Sequence, residues 1–510
     1  MLYNILEFLE HSAALHPHKT AVVDEYKSCN YEELLDYSCR IGSVLSYRIE
    51  KSSPIIVYME KGVDTICSFF GILYAGGFYA LLNPELPKPR LEHIQSVLQS
   101  KFVITNKQLK ASAKEVFPNA EIIVVESLKD AVIDKKSLEK IRKNTVDTDP
   151  LYINFTSGST GIPKGIVVSH RSVIDFIDYF TDIFHITDKD IIANQAPFDF
   201  DVSVKDIYSA LKVSATLVLV PRRMFSAPTE LIDFLCKYKI TTMIWAVSAL
   251  CLISTFHGLD YKVPTTVNKV LFSGEVMPYK HLCCWKNHLP EALYVNLYGP
   301  TEITCNCTYH ILDKSRDYSD GIPIGKPFPN EDVFLLTDEN SLIQKIGIIG
   351  EICVRGSALA LGYYRNFEQS RANFVQNPLN DRYPEIIYRT GDLAKYDKNR
   401  DMIFCGRKDF QIKYMGHRIE LEEIERAMDA IEGVERCCCI FDEKKSRLKG
   451  YYVGNIEREK LTMIMKKSLP IFMIPGFLRK IESMPLTKNG KIDRKKLEEM
   501  VGEKKNCTVQ

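Results

Sequence analysis

The chain has almost no net charge: 66 lysines and arginines stand against 65 aspartates and glutamates in 510 residues, a formal balance of +1. No overall basic field draws it to nucleic acid or to an anionic membrane, and neither is expected as a partner. It lacks any CxxC pair, and none of its 15 cysteines has the Cys/His spacing of a zinc site. The thiols are scattered or adjacent, as in Cys283-Cys284 and Cys437-Cys438-Cys439, which suits a reduced, cytoplasmic protein. The run RCCCIFD is expected to fill a buried strand, because a free cysteine packs as a small hydrophobe. No export signal is expected in MLYNILEFLEHSAALHP, which carries acidic residues where such a signal is basic. Internal repeats and long disordered linkers are absent as well. Two uncharged stretches, 65–84 and 240–256, barely approach the roughly 20 apolar residues that cross a bilayer. The first holds Gly71 and then Gly76-Gly77 before FYALLNP, which reads as a core helix, a turn and a buried strand. The second carries Thr241, Thr242, Ser248 and Ser254 and is also read as core.

What is present is an ordinary globular balance, 45% hydrophobic and 26% charged, in a chain too long for one core. Two or more domains are expected. Apolar runs alternate with amphipathic segments. KFVITN (101–106) and EIIVV (121–125) read as short buried strands. SHRSVIDFIDYF reads as a helix capped by Ser169, with Val173, Phe176, Ile177 and Phe180 on one face. This rhythm is that of an α/β protein with largely parallel sheets. From about Gly347 to Arg407 the pattern turns β-rich: GEICVRG alternates, and YRTGDLAKYDKNRDMIFCGR reads as strand, turn, strand. A last segment begins near Asp409. Its helix, ELEEIERAMDAI, sets Leu421, Ile424, Met428 and Ile431 in register, DEKKSR forms a charged turn, and GEKKNCTVQ frays.

Between two apolar flanks lies NFTSGSTGIPKGIVVSH (154–170), with three glycines, five hydroxyl residues and Lys164. Backbone amides of such a loop converge on an anion, and glycine lets the chain approach it closely. It is not a Walker A loop, because Pro163 precedes the lysine. In order after it come NLYGPTEIT, YRTGDL, GRKDFQIKYMGHRIELEEIE and PLTKNGKIDRK. With TSGSTGIPKG, these segments resemble the signature of the adenylate-forming superfamily. The similarity is nearest to amino-acid adenylation domains of nonribosomal peptide synthesis and to D-alanine–carrier-protein ligases. It covers nearly the whole chain, including YAGGFYALLNPELPKPR and GEICVRGSALALGYY.

The resemblance implies an α/β fold: a large N-terminal domain (1–408) of two αβα subdomains plus a distorted β-barrel, and a small mobile α+β C-terminal domain (409–510). It implies two half-reactions. A carboxylate attacks the α-phosphate of ATP, giving an acyl-adenylate and pyrophosphate; a carrier protein's phosphopantetheine thiol then displaces AMP. Lys491 would place its ammonium between the substrate carboxylate and the α-phosphate. Thr156, Ser157, Gly158, Ser159, Thr160, Gly161 and Lys164 would hold the departing pyrophosphate. Asp392 would accept the ribose hydroxyls, supported by Arg407. Tyr298 would stack on adenine, with Ser273, Gly274 and Glu275 lining the base, and Asn296, Gly299 and Thr301 completing the nucleotide site. Glu302 would associate with Mg²⁺ bridging phosphate oxygens. Asp409 would be the hinge that exchanges Lys491 for QIKYMGHR between the half-reactions.

NQAPFDFDVSVKDIYSAL fits the family segment that supplies the partner of a substrate ammonium. Asp201 aligns with that position, and Asp199, two residues earlier, is the alternative. A carboxylate here implies an α-amino acid. The other pocket positions are Val202, Lys205, Ile244, Leu271, Ser273, Leu297, Cys305 and Asn306. Lys205 either meets an acidic substrate side chain, pairs with Asp206, or points away. Small or polar amino acids are expected ahead of large aromatics, and Ser273 stands where the D-alanine ligases have a cysteine. The expectation is a stand-alone, monomeric enzyme that uses ATP and Mg²⁺ and loads a small amino acid onto a separate carrier protein. The competing readings are an acyl-CoA ligase for an acid without an amine, a D-alanine–carrier-protein ligase, and a nucleotide-binding scaffold without catalysis.

Overall fold

A computed structural model of the chain describes residues 2–158, 163–409, 411–442, 445–486, 492–494 and 496–497. It falls into two compact units: Met1–Pro84, Gln95–Phe155 and Gly165–Lys408 form the first, and Glu85–Ile94, Thr156–Lys164 and Asp409–Gln510 the second. The sequence reading cuts the chain once, after Lys408. The structure adds two excursions, 85–94 and 156–164, to the second unit.

The first unit contains a nine-stranded sheet whose six central strands run parallel: Leu293–Tyr298, Lys269–Ser273, Thr242–Ala246, Ile191–Asn194, Thr216–Leu219 and Thr20–Val23. Antiparallel strands close both edges. A seven-stranded sheet includes Pro54–Tyr58, Phe78–Leu81, Phe102–Thr105 and Glu121–Val124, again parallel. Parallel strands need helical crossovers and are covered on both faces, which is why these strands read as unbroken apolar runs. The segment 65–84 folds as expected into the helix Val63–Tyr74 and the strand Phe78–Leu81. A side chain at Gly71 would lie 2.4 Å from Ile41 of helix Tyr31–Leu45, so the two helices touch only because that position is bare. The segment 240–256 is a strand, Thr242–Ala246, followed by a helix, Val247–Thr255. Helix His170–Ile183 begins at Ser169, whose hydroxyl accepts the Ser172 N–H. The β-rich region is a six-stranded antiparallel sheet that already starts at Glu331–Leu336 and includes Gly350–Gly356, Ile386–Tyr396 and Met402–Arg407.

The second unit pairs a hairpin, Gln411–Tyr414 with His417–Glu420, with helix Leu421–Asp429 and a three-stranded sheet. Strand alternation splits the cysteine run: Cys437 and Cys439 pack with Ile424, Met428 and Tyr452, while Cys438 packs with Tyr451 and Leu497 on the other face. Burial pushes all three thiols up, Cys438 to about 12, so they are packing groups and not nucleophiles. Among the described residues no helix is long and apolar enough to cross a membrane.

Candidate active site

Four neighbouring parallel strands of the nine-stranded sheet end at Asn194, Ala246, Ser273 and Tyr298. In open parallel sheets, ligands sit just beyond these carboxyl ends. Register decides which side chains share the site. Ile244 lies opposite Leu271, and Leu271 opposite Val295. With Leu297 and Cys305 they enter one core, whereas Trp245 and Phe272 face the other. The expected apolar pocket positions Ile244, Leu271 and Leu297 therefore fall on one face.

A tight loop then returns the chain on itself. Cys307 N–H donates to Tyr298 O at 2.8 Å. A side chain at Gly299 would stand 2.5 Å from Asn306 Cα and 2.8 Å from Cys305 O, both backbone atoms, so only glycine fits. Thr304 and Cys305 hold φ of 53° and 74°, costly for non-glycine residues and the kind of strain found at ligand sites. Two bonds restrain them: Thr304 Oγ1 donates to Ala358 O at 2.7 Å, and Cys305 Sγ to Asp201 O at 3.0 Å. One short loop thus carries Tyr298 at its start and Cys305-Asn306 at its end.

Asp392 and Arg407 face each other across paired strands, and Arg407 Nη1 donates to Asp392 Oδ1. Tyr298 OH donates to Asp392 Oδ2 at 2.5 Å. The carboxylate is fully buried, and both oxygens already have a protein donor. An ionised carboxylate offers about four lone-pair sites, so it retains capacity for further hydroxyls. The Tyr298 ring packs in the apolar core of the antiparallel layer. Burial, reinforced by the Asp392 charge, pushes its phenol far above the usual tyrosine range. Beside it, Asn296 Nδ2 donates to Pro323 O at 2.8 Å, Thr301 is buried, and Gly274 takes φ of 96° between Ser273 and Glu275.

Glu302 is 1% exposed, and Tyr363 OH donates to its Oε1 at 2.7 Å. Among the described residues no group of three acidic, histidine or cysteine side chains forms a ready-made metal cage. A single oriented carboxylate fits Mg²⁺, which takes one or two protein carboxylates and fills its remaining positions with water and substrate phosphate.

Helix Val202–Lys212 is buried along nearly its whole length and carries two titratable side chains, Lys205 and Asp206, inward. Lys205 Nζ donates to Asn306 Oδ1 at 2.7 Å and to Ser273 Oγ at 3.2 Å. It does not pair with Asp206, whose carboxylate instead accepts from Asn194 Nδ2 at 2.7 Å. Burial pushes Asp206 up to about 8, against the opposing pull of Asn194, Lys205 and Lys61. Burial likewise pushes Lys61 down to about 7; its ammonium donates to Asn194 Oδ1 and Gln195 O, both at 3.1 Å. Asp201, 7% exposed, stands at the start of the helix with Val202 after it.

The glycine-rich loop is described only at its ends. Ser159, Thr160 and Gly161 lie outside the described residues, as does Lys491. Within the second unit, Ser157 Oγ donates to Arg418 O at 2.7 Å and accepts from Glu420 N–H at 3.2 Å. Lys164 Nζ lies 3.6 Å from the Glu420 carboxylate, and the Gly158 N–H donates to Glu423, which also binds Arg90 at 2.6 Å. Thr156 ends its strand, and Asp409 Oδ1 accepts the Gln411 N–H at 3.2 Å.

Sequence reasoning missed Tyr363, Lys61 and Asn194. Tyr363 sits in the quoted GSALALGYY, but nothing in that string says its hydroxyl meets Glu302. Lys61, in YMEKGVD, follows a buried strand and reads as a surface charge.

Comparison with known proteins is consistent along the chain. Residues 9–364 match the family model described as AMP-binding enzyme. Zwittermicin A synthase ZmaJ of Bacillus cereus is 31% identical over 97% of this chain and 94% of its own length. Surfactin synthase subunit 1 of Bacillus subtilis is 30% identical over 97% of this chain, but the chain spans only 14% of that protein, and 9% of bacitracin synthase 1 of Bacillus licheniformis. The fold matches the Vibrio cholerae adenylation domain AlmE in complex with glycyl-adenosine-5'-phosphate, with a TM-score of 0.84 at 20% identity over 98% of both chains. It also matches the o-succinylbenzoate CoA synthetase of Bacillus subtilis, with a TM-score of 0.83 at 18% identity over 97% of this chain and 98% of that one.

Proposed function

Because the chain belongs to the AMP-binding enzyme family, we propose that it condenses an α-amino acid with ATP into an aminoacyl-adenylate and passes the aminoacyl group to the thiol of a separate carrier protein. The observation that carries this reading is the loop from Tyr298 to Asn306. It joins a buried carboxylate, Asp392, bonded by Tyr298, to a polar cluster of Asp201, Lys205 and Asn306.

The division of labour follows from charge. Asp392, clamped by Tyr298 and Arg407, accepts from the ribose hydroxyls and fixes the nucleotide's register. Asp201 receives the substrate ammonium, which sets the carboxylate end toward the phosphates. Glu302, oriented by Tyr363, would hold Mg²⁺. That ion supplies charge neutralisation on the phosphate oxygens. Amides of the 156–164 loop receive the leaving pyrophosphate, and Lys491 offsets charge on the attacking and bridging oxygens. The carboxylate oxygen forms a bond to the α-phosphorus as the bond to pyrophosphate breaks; the carrier thiolate then attacks the acyl carbon and AMP leaves. Asp409 is the hinge proposed for the change between the two steps.

The fold shared with a CoA synthetase supports a second reading, an acyl-CoA ligase. Asp201 separates the two. ATP–pyrophosphate exchange over L- and D-amino acids and plain acids, followed by thioester formation on holo carrier protein or coenzyme A, tests both. Amino-acid-dependent exchange that disappears in Asp201→Ala supports the adenylating enzyme. Exchange with a plain acid that survives Asp201→Ala supports the CoA ligase.

A further inference from the structure

Among the described residues, the expected amino-acid pocket holds a lysine whose hydrogen-bond acceptors are all neutral; burial pulls Lys205 down from its ordinary range, and Cys305, Asp201 and Asp206 oppose that shift. Lys205 is fully buried and has three N–H donors, of which Asn306 Oδ1 and Ser273 Oγ receive two. Both acceptors are neutral, and among the described residues Lys205 forms no ion pair. A buried ammonium with only neutral acceptors is costly, so such groups are found paired or poised for a ligand. Asp201 and Asp206 act on Lys205 through their charge, but among the described residues neither stands within ion-pairing distance. Asp206 gives its carboxylate to Asn194 and is held in its neutral range by burial. Asp201, on the reading above, is taken by the substrate's own ammonium.

The two acceptors also carry donors of their own beside the Lys205 ammonium. Ser273 uses its oxygen on Lys205 and keeps its hydroxyl hydrogen. Asn306 uses Oδ1 on Lys205 and keeps its Nδ2 hydrogens, with the amide orientation assigned by the lysine contact. Three donors from three different elements therefore meet: an ammonium from the buried helix, a hydroxyl from the end of strand Lys269–Ser273, and an amide from the strained loop. Around them, Leu271 and Leu297 offer only apolar surface. This donor set is complementary to a carboxylate and mismatched to an apolar or basic side chain.

We propose that the amino acid activated here carries a second carboxylate in its side chain, received by Lys205, Ser273 and Asn306. The inference rests on the amino-acid-activating function proposed above. A dicarboxylic amino acid closes the charge count, with its ammonium on Asp201 and its side-chain carboxylate on Lys205, while the remaining α-carboxylate is left to attack phosphorus.

The test is ATP–pyrophosphate exchange by the full chain with aspartate, glutamate and 2-aminoadipate. Each is compared with its uncharged counterpart (asparagine, glutamine, homoglutamine) and with serine, alanine and leucine, in both chiralities. Loss of a buried charge partner is worth at least about 30-fold, so the preferred dicarboxylic acid should exceed its amide by that factor or more in kcat/KM. Lys205→Met, which keeps the length of the chain without the charge, should lose that preference. Should the wild-type protein exchange best with a neutral amino acid, the inference falls and the proposed function stands. If no amino acid supports exchange, both fall. An acid-over-amide preference that persists in Lys205→Met also overturns the assignment. The wild-type comparison decides the matter even if the variant fails to fold.

Discussion

Replacing Tyr298 with phenylalanine removes one oxygen from the buried Tyr298–Asp392–Arg407 cluster. The bond it deletes joins a phenol 5% exposed to a carboxylate 0% exposed, so solvent does not screen it. Hydrogen bonds to charged groups contribute about 1.5–3 kcal/mol, and loss of one hydroxyl leaves almost no cavity, so a loss of about 2 kcal/mol is expected. Against a total stability of roughly 5–15 kcal/mol this is readily measured. The chain has two tryptophans, Trp245 and Trp285, both buried in the first unit. Urea unfolding followed by tryptophan fluorescence therefore reports that unit. If Tyr298 holds Asp392 for the sugar, Tyr298→Phe should also raise KM for ATP and leave KM for the amino acid nearly unchanged. A stability change below about 0.5 kcal/mol together with an unchanged KM for ATP would falsify the clamp.

Three further outcomes follow from other parts of the site. Gly299→Ala pushes a methyl group against the Asn306 and Cys305 backbone, and overpacking of this kind costs about 1–3 kcal/mol; a wild-type unfolding midpoint would mean the loop is not as tight as described. Asp206 is raised from 3.8 to about 8, so the folded protein keeps a proton that the unfolded chain releases, and Asp206 stability is lost as pH rises from about 4 toward 8. Lys61, lowered to about 7, contributes with the opposite sign only above that pH. Between pH 4 and 7, denaturant titrations should show the wild-type advantage over Asp206→Asn shrinking as pH rises, and a flat difference would show that Asp206 titrates normally. Tyr363→Phe should weaken Mg²⁺ at Glu302, seen as a raised metal requirement for exchange and a weaker Mn²⁺ signal in a spin-resonance titration with nucleotide present; equal metal dependence in both proteins would remove Tyr363 from that role.

The sheets and their helices were legible because parallel strands buried on both faces must be apolar throughout and must alternate with crossover helices. The caps at Ser169 and the register of Leu421, Ile424 and Met428 followed from side-chain period alone. The expected pocket positions came only from resemblance; that Ile244, Leu271 and Leu297 share a face depends on sheet register across more than fifty residues. Lys205 was named as ambiguous for a physical reason: a helix that is buried on every side shows no polar face, so its sequence cannot say where a charged residue points. The strain at Thr304 and Cys305 was likewise invisible, because neither residue type advertises a positive φ as glycine does. The excursions 85–94 and 156–164 joined the second unit through Arg90, Ser157 and Lys164, contacts more than two hundred residues apart in sequence.

Whether the Lys491 ammonium drives adenylate formation is read from amino-acid-dependent ATP–pyrophosphate exchange by Lys491→Ala. Removal of a charge-stabilising donor costs about 10²–10³ in rate. Adenylate formation should fall by at least that factor, with carrier loading from a supplied aminoacyl-adenylate largely preserved. Undiminished exchange in Lys491→Ala would contradict that role.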